Sequence, residues 1–210
     1  MTEEMAKAAG AEKANSISEE MIPSLEPEGR AALEDYLSRC ETYLEYGCGG
    51  STYVAAKSGV KTICAVDTSL EWIEDVERRT RGFPPRITLR HCDVGPVASW
   101  GHPVDAREIH QFHRYAILPW DAARATASQP DLVFVDGRFR VASFLYSLMS
   151  ARAGTIILFD DYMDRAQYHE VEKFCKRVDN HGRMAVFLVG EQRPLVEIAE
   201  SFARYSIIPA

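Results

Sequence analysis

Tyr43-Leu44-Glu45-Tyr46-Gly47-Cys48-Gly49-Gly50-Ser51-Thr52 decides the fold. The apolar run from Thr42 to Tyr46 reads as a short buried strand. The chain then breaks into small residues, and Tyr53-Val54-Ala55-Ala56 resumes as a helix start. Strand, glycine turn and helix together put free backbone N–H groups against an anionic or polar ligand. Glycine allows close approach because no Cβ stands between the backbone and the ligand. An ordinary βα turn also contains glycine, so the meaning of this cluster depends on which residues come after it and at what distance.

Outward from this stretch the chain alternates. Upstream, Pro27–Arg39 reads as a helix with Ala31, Leu33, Tyr36 and Leu37 inward and proline in its first turn. Residues 1–22 are thin in apolar residues and read as a flexible or loosely helical arm. Downstream, Ser51–Lys57 is a helix, and Lys61–Val66 a second strand ending at Asp67. Leu70–Arg81 is a helix running from acidic to basic, which suits the helix dipole. Arg86–His91 is a third strand, ending at Cys92-Asp93. About 37 residues, 94–130, then interrupt the rhythm and read as an insertion rich in aromatic residues and histidines. Asp131–Val135, Gly154–Phe159 and Met184–Val189 are strands, with helices at Arg140–Ala151 and Tyr168–Val178. Val171, Phe174, Cys175 and Val178 would form the inward stripe of the latter. Pro194–Phe202 is helical or mixed, and Tyr205–Ile208 reads as a last strand.

These units predict an α/β fold: a single doubly wound, mostly parallel seven-stranded sheet with helices on both faces. One domain over 23–210 is the natural organisation for a chain of 210 residues. Hydrophobic content of 46% with 26% charged residues fits a globular protein, and no apolar run approaches the roughly 18 residues needed to span a membrane. A net charge of −7 argues against a nucleic-acid partner, which needs a basic face. Five cysteines without a Cys-x-x-Cys pair indicate neither disulfides nor structural zinc, and imply a reducing, cytoplasmic setting.

Polar or acidic residues stand after successive strands: Gly47–Ser51, Asp67, Asp93, Asp136 and Asp160-Asp161. In an open parallel sheet the strand C-termini converge on one crevice. A dinucleotide fingerprint needs a third glycine where Thr52 stands. Glu45, two residues before Gly47, would repel a pyrophosphate and favour a cationic ligand. S-adenosylmethionine, with an ammonium, a sulfonium and no phosphate, suits that charge better than NAD.

The stretch Glu45–Thr52 resembles the first motif of the class I, Rossmann-like S-adenosylmethionine-dependent methyltransferases, and the resemblance covers roughly residues 27–190. It implies S-adenosylmethionine as cofactor, contacted by Glu45, Gly47, Gly49, Ser51, Asp67, Thr68, Trp72, Asp93 and Asp136. Asp67, 22 residues after Glu45, would hold the ribose hydroxyls; Asp93 would meet the adenine amine, and Trp72 or Leu70 the adenine face. Val135-Asp136-Gly137 with Leu158-Phe159-Asp160-Asp161-Tyr162 is similar to small-molecule O-methyltransferases of the catechol and sugar or macrolide type. The metal-dependent members imply magnesium on Asp136, Asp160 and Asp161, an ion that suits hard oxygen ligands and lowers the pKa of a bound hydroxyl.

The sequence departs from that pattern after Asp136. Related sequences place a lysine or histidine there as proton acceptor; here the run is Arg138-Phe139-Arg140. Arginine is a poor general base, so Arg138 would bind an acidic acceptor. The base then falls to His102, His110 or His113 in the insertion, or to His169. The expectation is methyl transfer to a small-molecule acceptor, oxygen by resemblance, with the insertion as lid and Trp100, Tyr115 and Trp120 as pocket walls. A homodimer would pair through the last strand or the N-terminal helix. The competing readings are an inactive methyltransferase-like binding protein and an NAD-dependent oxidoreductase.

Overall fold

The structure is a computed structural model that describes residues 20–210. The arm expected over 1–22 therefore lies mostly outside the described residues. The helices are α1 (Pro27–Leu37), α2 (Gly50–Lys57), α3 (Leu70–Thr80), α4 (Ile109–Phe112), α5 (Arg114–Ala125), α6 (Arg140–Ser150) and α7 (Leu195–Tyr205). The strands are β1 (Thr42–Tyr46), β2 (Thr62–Asp67), β3 (Arg86–His91), β4 (Leu132–Val135), β5 (Ile156–Phe159), β6 (Arg177–His181) and β7 (Met184–Leu188).

They form one seven-stranded sheet in the order β3-β2-β1-β4-β5-β7-β6. Strands β1 to β5 are mutually parallel, and β7 is antiparallel to both β5 and β6. The chain leaves β1 outward to β2 and β3, then returns to β4 on the other side of β1. That reversal opens a crevice between the C-terminal ends of β1 and β4.

The sheet's two faces can be read strand by strand because side chains alternate. Leu44, Tyr46, Val133, Val135, Ile157 and Phe159 join the core beneath α5, α6 and α7. Tyr43, Leu132, Phe134 and Leu158 join a second core with Leu33 and Leu37 of α1 and Ala55 and Ala56 of α2. Ile73 and Val76 of α3 pack on Ala65 of β2 on that same side. All five cysteines are buried and free.

Four sequence-based expectations change. Residues 94–130 are the helical crossover from β3 to β4, carried by α4 and α5. Tyr115 and Trp120 belong to the core rather than to a pocket wall: Trp120 Nε1 donates to Tyr46 Oη (3.0 Å) and Ser147 Oγ (3.2 Å) beneath the sheet. The helix expected over Tyr168–Val178 is a 3-10 helix, Ala166–Lys173, followed by strand β6. Val171 and Cys175 are buried as the apolar spacing implied, but Val178 is exposed. The hairpin turns at Gly182, whose φ of +58° needs no Cβ, and β6 is a polar edge strand with a register shift between Arg177 and Asp179. Finally, Tyr205–Ile208 is not a strand. It ends α7, whose apolar spacing runs on through Phe202 to Tyr205, so the dimer contact expected from a last strand has no strand to form it.

Candidate active site

A cavity of about 830 Å³ lies at the β1/β4 crevice. Its floor is the glycine turn. Gly47 has φ +90°, and a Cβ there would stand 2.7 Å from Cα of Gly137. A Cβ on Gly137 would run into Tyr115 Oη and stand 2.7 Å from the amide nitrogen of Gly47. The turns after β1 and β4 thus touch backbone to backbone, which only paired glycines permit. The first intrahelical bond of α2 is donated by Tyr53 N to Gly49 O (3.1 Å), so the N–H groups of Gly50, Ser51 and Thr52 precede it, and Gly50 and Ser51 line the cavity.

Asp67, at the end of β2, lines the cavity, and its Oδ1 accepts from Ser69 N (2.9 Å). Burial pushes its carboxyl up to about 6. Trp72 also lines it, with Nε1 pinned to Cys48 O (2.6 Å) and its ring against Gly49. Trp100 and Gly101 close the side next to Asp67, held by Thr68 Oγ1 donating to Gly101 O (2.7 Å). The far rim is Ile22-Pro23-Ser24, which crosses directly over Gly50. Nothing in that tripeptide's composition marks it as a site; only the absent Cβ of Gly50 makes room for it.

Several residues expected at the site stand elsewhere. Glu45 is fully buried behind the turn rather than in the cavity wall. Its two oxygens accept from Ser51 Oγ and Thr52 Oγ1, and burial raises its carboxyl to about 8. Thr68 is buried beneath Trp100 and Gly101 rather than in the lining. Asp93 is exposed outside the cavity, capping the amide of Gly95 (3.0 Å). His110 and His113 are exposed on and just after α4, and neither lines the cavity. His102 bonds to Pro103 O (2.9 Å) and His169 to Tyr162 O (3.2 Å), both also outside it. The cavity does hold Gly47, Gly49, Ser51, Asp67, Trp72, Asp136, Arg138, Asp160 and Asp161.

On the β4–β5 side the lining is densely charged. Asp136, Asp160 and Asp161 each place one oxygen within 4.8 Å of the others. Among them lie Arg140, Arg165 and Arg183. Arg138 lines the same cavity, and its buried Nε has no hydrogen-bond partner among the described residues.

No protein-family model matches the chain, and no curated protein matches it. Solved structures do. A methyltransferase-like protein from Silicibacter pomeroyi DSS-3 is 31% identical, with a TM-score of 0.81 over 90% of this chain and 98% of that one. The chain belongs to the class I S-adenosylmethionine-dependent methyltransferase superfamily. Two more distant methyltransferase structures share the fold. A putative O-methyltransferase from Klebsiella pneumoniae is 17% identical, with a TM-score of 0.50 over 80% of this chain and 84% of that one. The N-methyltransferase NodS from Bradyrhizobium japonicum WM9, in complex with S-adenosylhomocysteine, is 13% identical, with a TM-score of 0.50 over 88% and 98%.

The cofactor of this methyltransferase superfamily fits the cavity. Paired glycines leave the backbone bare, Asp67 offers a carboxylate to the cavity, and 830 Å³ is within the roughly 300–1,000 Å³ of small-molecule pockets. Magnesium does not fit in the same way. The oxygens of Asp136, Asp160 and Asp161 face guanidinium groups, so the triplet is already neutralised by cations of its own chain. The spacing of aspartates in sequence says nothing about arginines reaching in from α6, the 160s loop and the β6–β7 turn.

Proposed function

We propose that this methyltransferase transfers a methyl group from S-adenosylmethionine to a small acceptor held in the same cavity. The observation that carries the reading is that the glycine turn after β1, Asp67 after β2 and Asp136-Gly137 after β4 line one cavity in a chain of this superfamily. When bound, S-adenosylmethionine supplies a methyl group already activated on sulfonium. The chain's own work is then mostly positioning. Asp67 would hold the ribose through two acceptor oxygens, the glycine turn would admit the amino-acid end, and Trp72 with Trp100 would cover the cleft. Arg138, whose Nε lacks a partner among the described residues, would take an anionic group such as a carboxylate or phosphate. Oxygen is the preferred acceptor atom, on the resemblance of the Asp136 and Asp160-Asp161 segments.

One observation favours a second reading, a cofactor-binding protein without turnover. No histidine or lysine lines the cavity among the described residues, so no nitrogen base faces an acceptor. An acceptor that arrives ionised would need none.

Calorimetry with S-adenosylhomocysteine tests the primary reading. One site per chain is expected, with affinity falling about 10- to 100-fold in Asp67→Asn, the loss of hydrogen bonds to a charged group. Affinity of the wild type should also weaken as pH drops through about 6, where Asp67 takes up a proton. Absence of binding to the folded wild type would remove the proposal. Binding without turnover across anionic hydroxyl, amine and thiol acceptors would favour the second reading.

A further inference from the structure

The acidic triplet holds a filled position at its centre. Arg140 is 3% exposed. Its Nε donates to Gly137 O (3.0 Å), Nη1 to Asp160 O (2.7 Å) and Nη2 to Asp136 O (2.8 Å). The same two terminal nitrogens reach Asp136 Oδ1 (3.0 Å) and Asp161 Oδ2 (3.1 Å). One guanidinium therefore ties together the ends of β4 and β5 through three carbonyls and two carboxylates. Arg165 adds a contact to Asp161 Oδ2 (2.7 Å), and Arg183 contacts Asp161 Oδ1 (2.9 Å) and Asp160 Oδ2 (3.4 Å). Three carboxylates meet three guanidiniums, so the cluster's formal charge is zero. A small divalent cation would need several oxygens at about 2.0–2.1 Å. To provide them the cluster would have to break these contacts and carry two surplus positive charges in a mostly buried place.

We infer that Arg140 is a built-in cation standing in the place of a divalent metal, and that Asp136, Asp160 and Asp161 bind no such ion. Arg140 is then a positioning residue. It holds the loop after β4, which carries Gly137 and Arg138, at a fixed distance from the loop after β5. The inference goes beyond the proposed methyl transfer and does not depend on it, because metal binding is measured without turnover.

The test is titration of the full-length protein with Mn²⁺, followed by electron paramagnetic resonance of the free ion. The wild type is expected to take up no stoichiometric Mn²⁺ at millimolar concentration, and its melting temperature should be the same in Mg²⁺ and in EDTA. Arg140→Met, which keeps the aliphatic stem and removes the charge, is expected to gain one Mn²⁺ site at least tenfold tighter than any in the wild type. Asp161→Asn placed on Arg140→Met should abolish that site. Stoichiometric Mn²⁺ uptake by the wild type, lost in Asp161→Asn, would overturn the inference. So would a folded Arg140→Met that gains no site. If that variant does not fold, the wild-type titration decides alone. Retained S-adenosylhomocysteine binding, checked in parallel, separates this outcome from failure of the methyltransferase reading.

Discussion

Glu45 offers the sharpest test of how the glycine turn is built. It is fully buried, it accepts from two hydroxyls of α2, and its carboxyl is pushed from 4.5 to about 8, with burial as the first cause. A carboxyl whose pKa is higher in the folded state opposes folding as pH rises. The unfolded chain releases the proton near 4.5, while the native state keeps it until about 8. Below 4.5 the group is neutral in both states and costs nothing. Between 4.5 and 8 the penalty grows by about 1.4 kcal/mol per pH unit, and above 8 it levels off at about 5 kcal/mol. From pH 5 to pH 8 the penalty rises by roughly 3–4 kcal/mol. Glu45→Gln keeps the shape and removes the titration. Urea denaturation of both proteins at pH 5, 6, 7 and 8 should show the wild type losing roughly 3–4 kcal/mol relative to the variant across that range. A stability difference that stays flat with pH would refute the reasoning. It would mean that Ser51 and Thr52 hold a carboxylate, and that the turn carries a negative charge beside the cofactor cleft after all.

Two further substitutions separate the cleft from its support. Gly47→Ala sets a Cβ 2.7 Å from Gly137 at a φ of +90°. It should cost at least about 2 kcal/mol in stability and more than tenfold in S-adenosylhomocysteine affinity; wild-type affinity in a folded variant would show that the two glycine turns have slack. Trp120→Phe deletes the donor shared by Tyr46 Oη and Ser147 Oγ beneath the sheet. It should lower stability by about 2 kcal/mol in chemical denaturation with cofactor affinity unchanged, and a loss of binding would place Trp120 in the site instead of under it.

The parallel half of the sheet was legible because its strands are short apolar runs ending at glycine or aspartate, a pattern that βα units impose locally. Asp67 and Asp136 reached the cavity for the same reason: a residue just after a parallel strand can only lie at its C-terminal edge. The antiparallel end was not legible in this way. Strand β6 reads Arg-Val-Asp-Asn-His, polar as an edge strand tends to be, and its only mark was Gly182 in the turn behind it. Glu45 was misplaced in role because strand periodicity says which face a side chain takes, here the α2 face, and that face is not the crevice. Asp93 failed as a cleft residue because the chain leaves β3 at the sheet's far edge and turns on Gly95. The arginines at 140, 165 and 183 come from three separate elements, and no spacing in sequence brings them together.

The strap at residues 22–24 has a practical consequence. The described residues begin at Glu20, two positions before the cleft rim at Ile22. Whatever replaces the chain ahead of Glu20 therefore enters the fold at the mouth of the binding site rather than at a remote surface. A charged affinity tag fused there would emerge beside the arginines that line the cavity. Ligand titrations are therefore best made on protein tagged after Ala210 or with an amino-terminal tag cleaved before the first measurement.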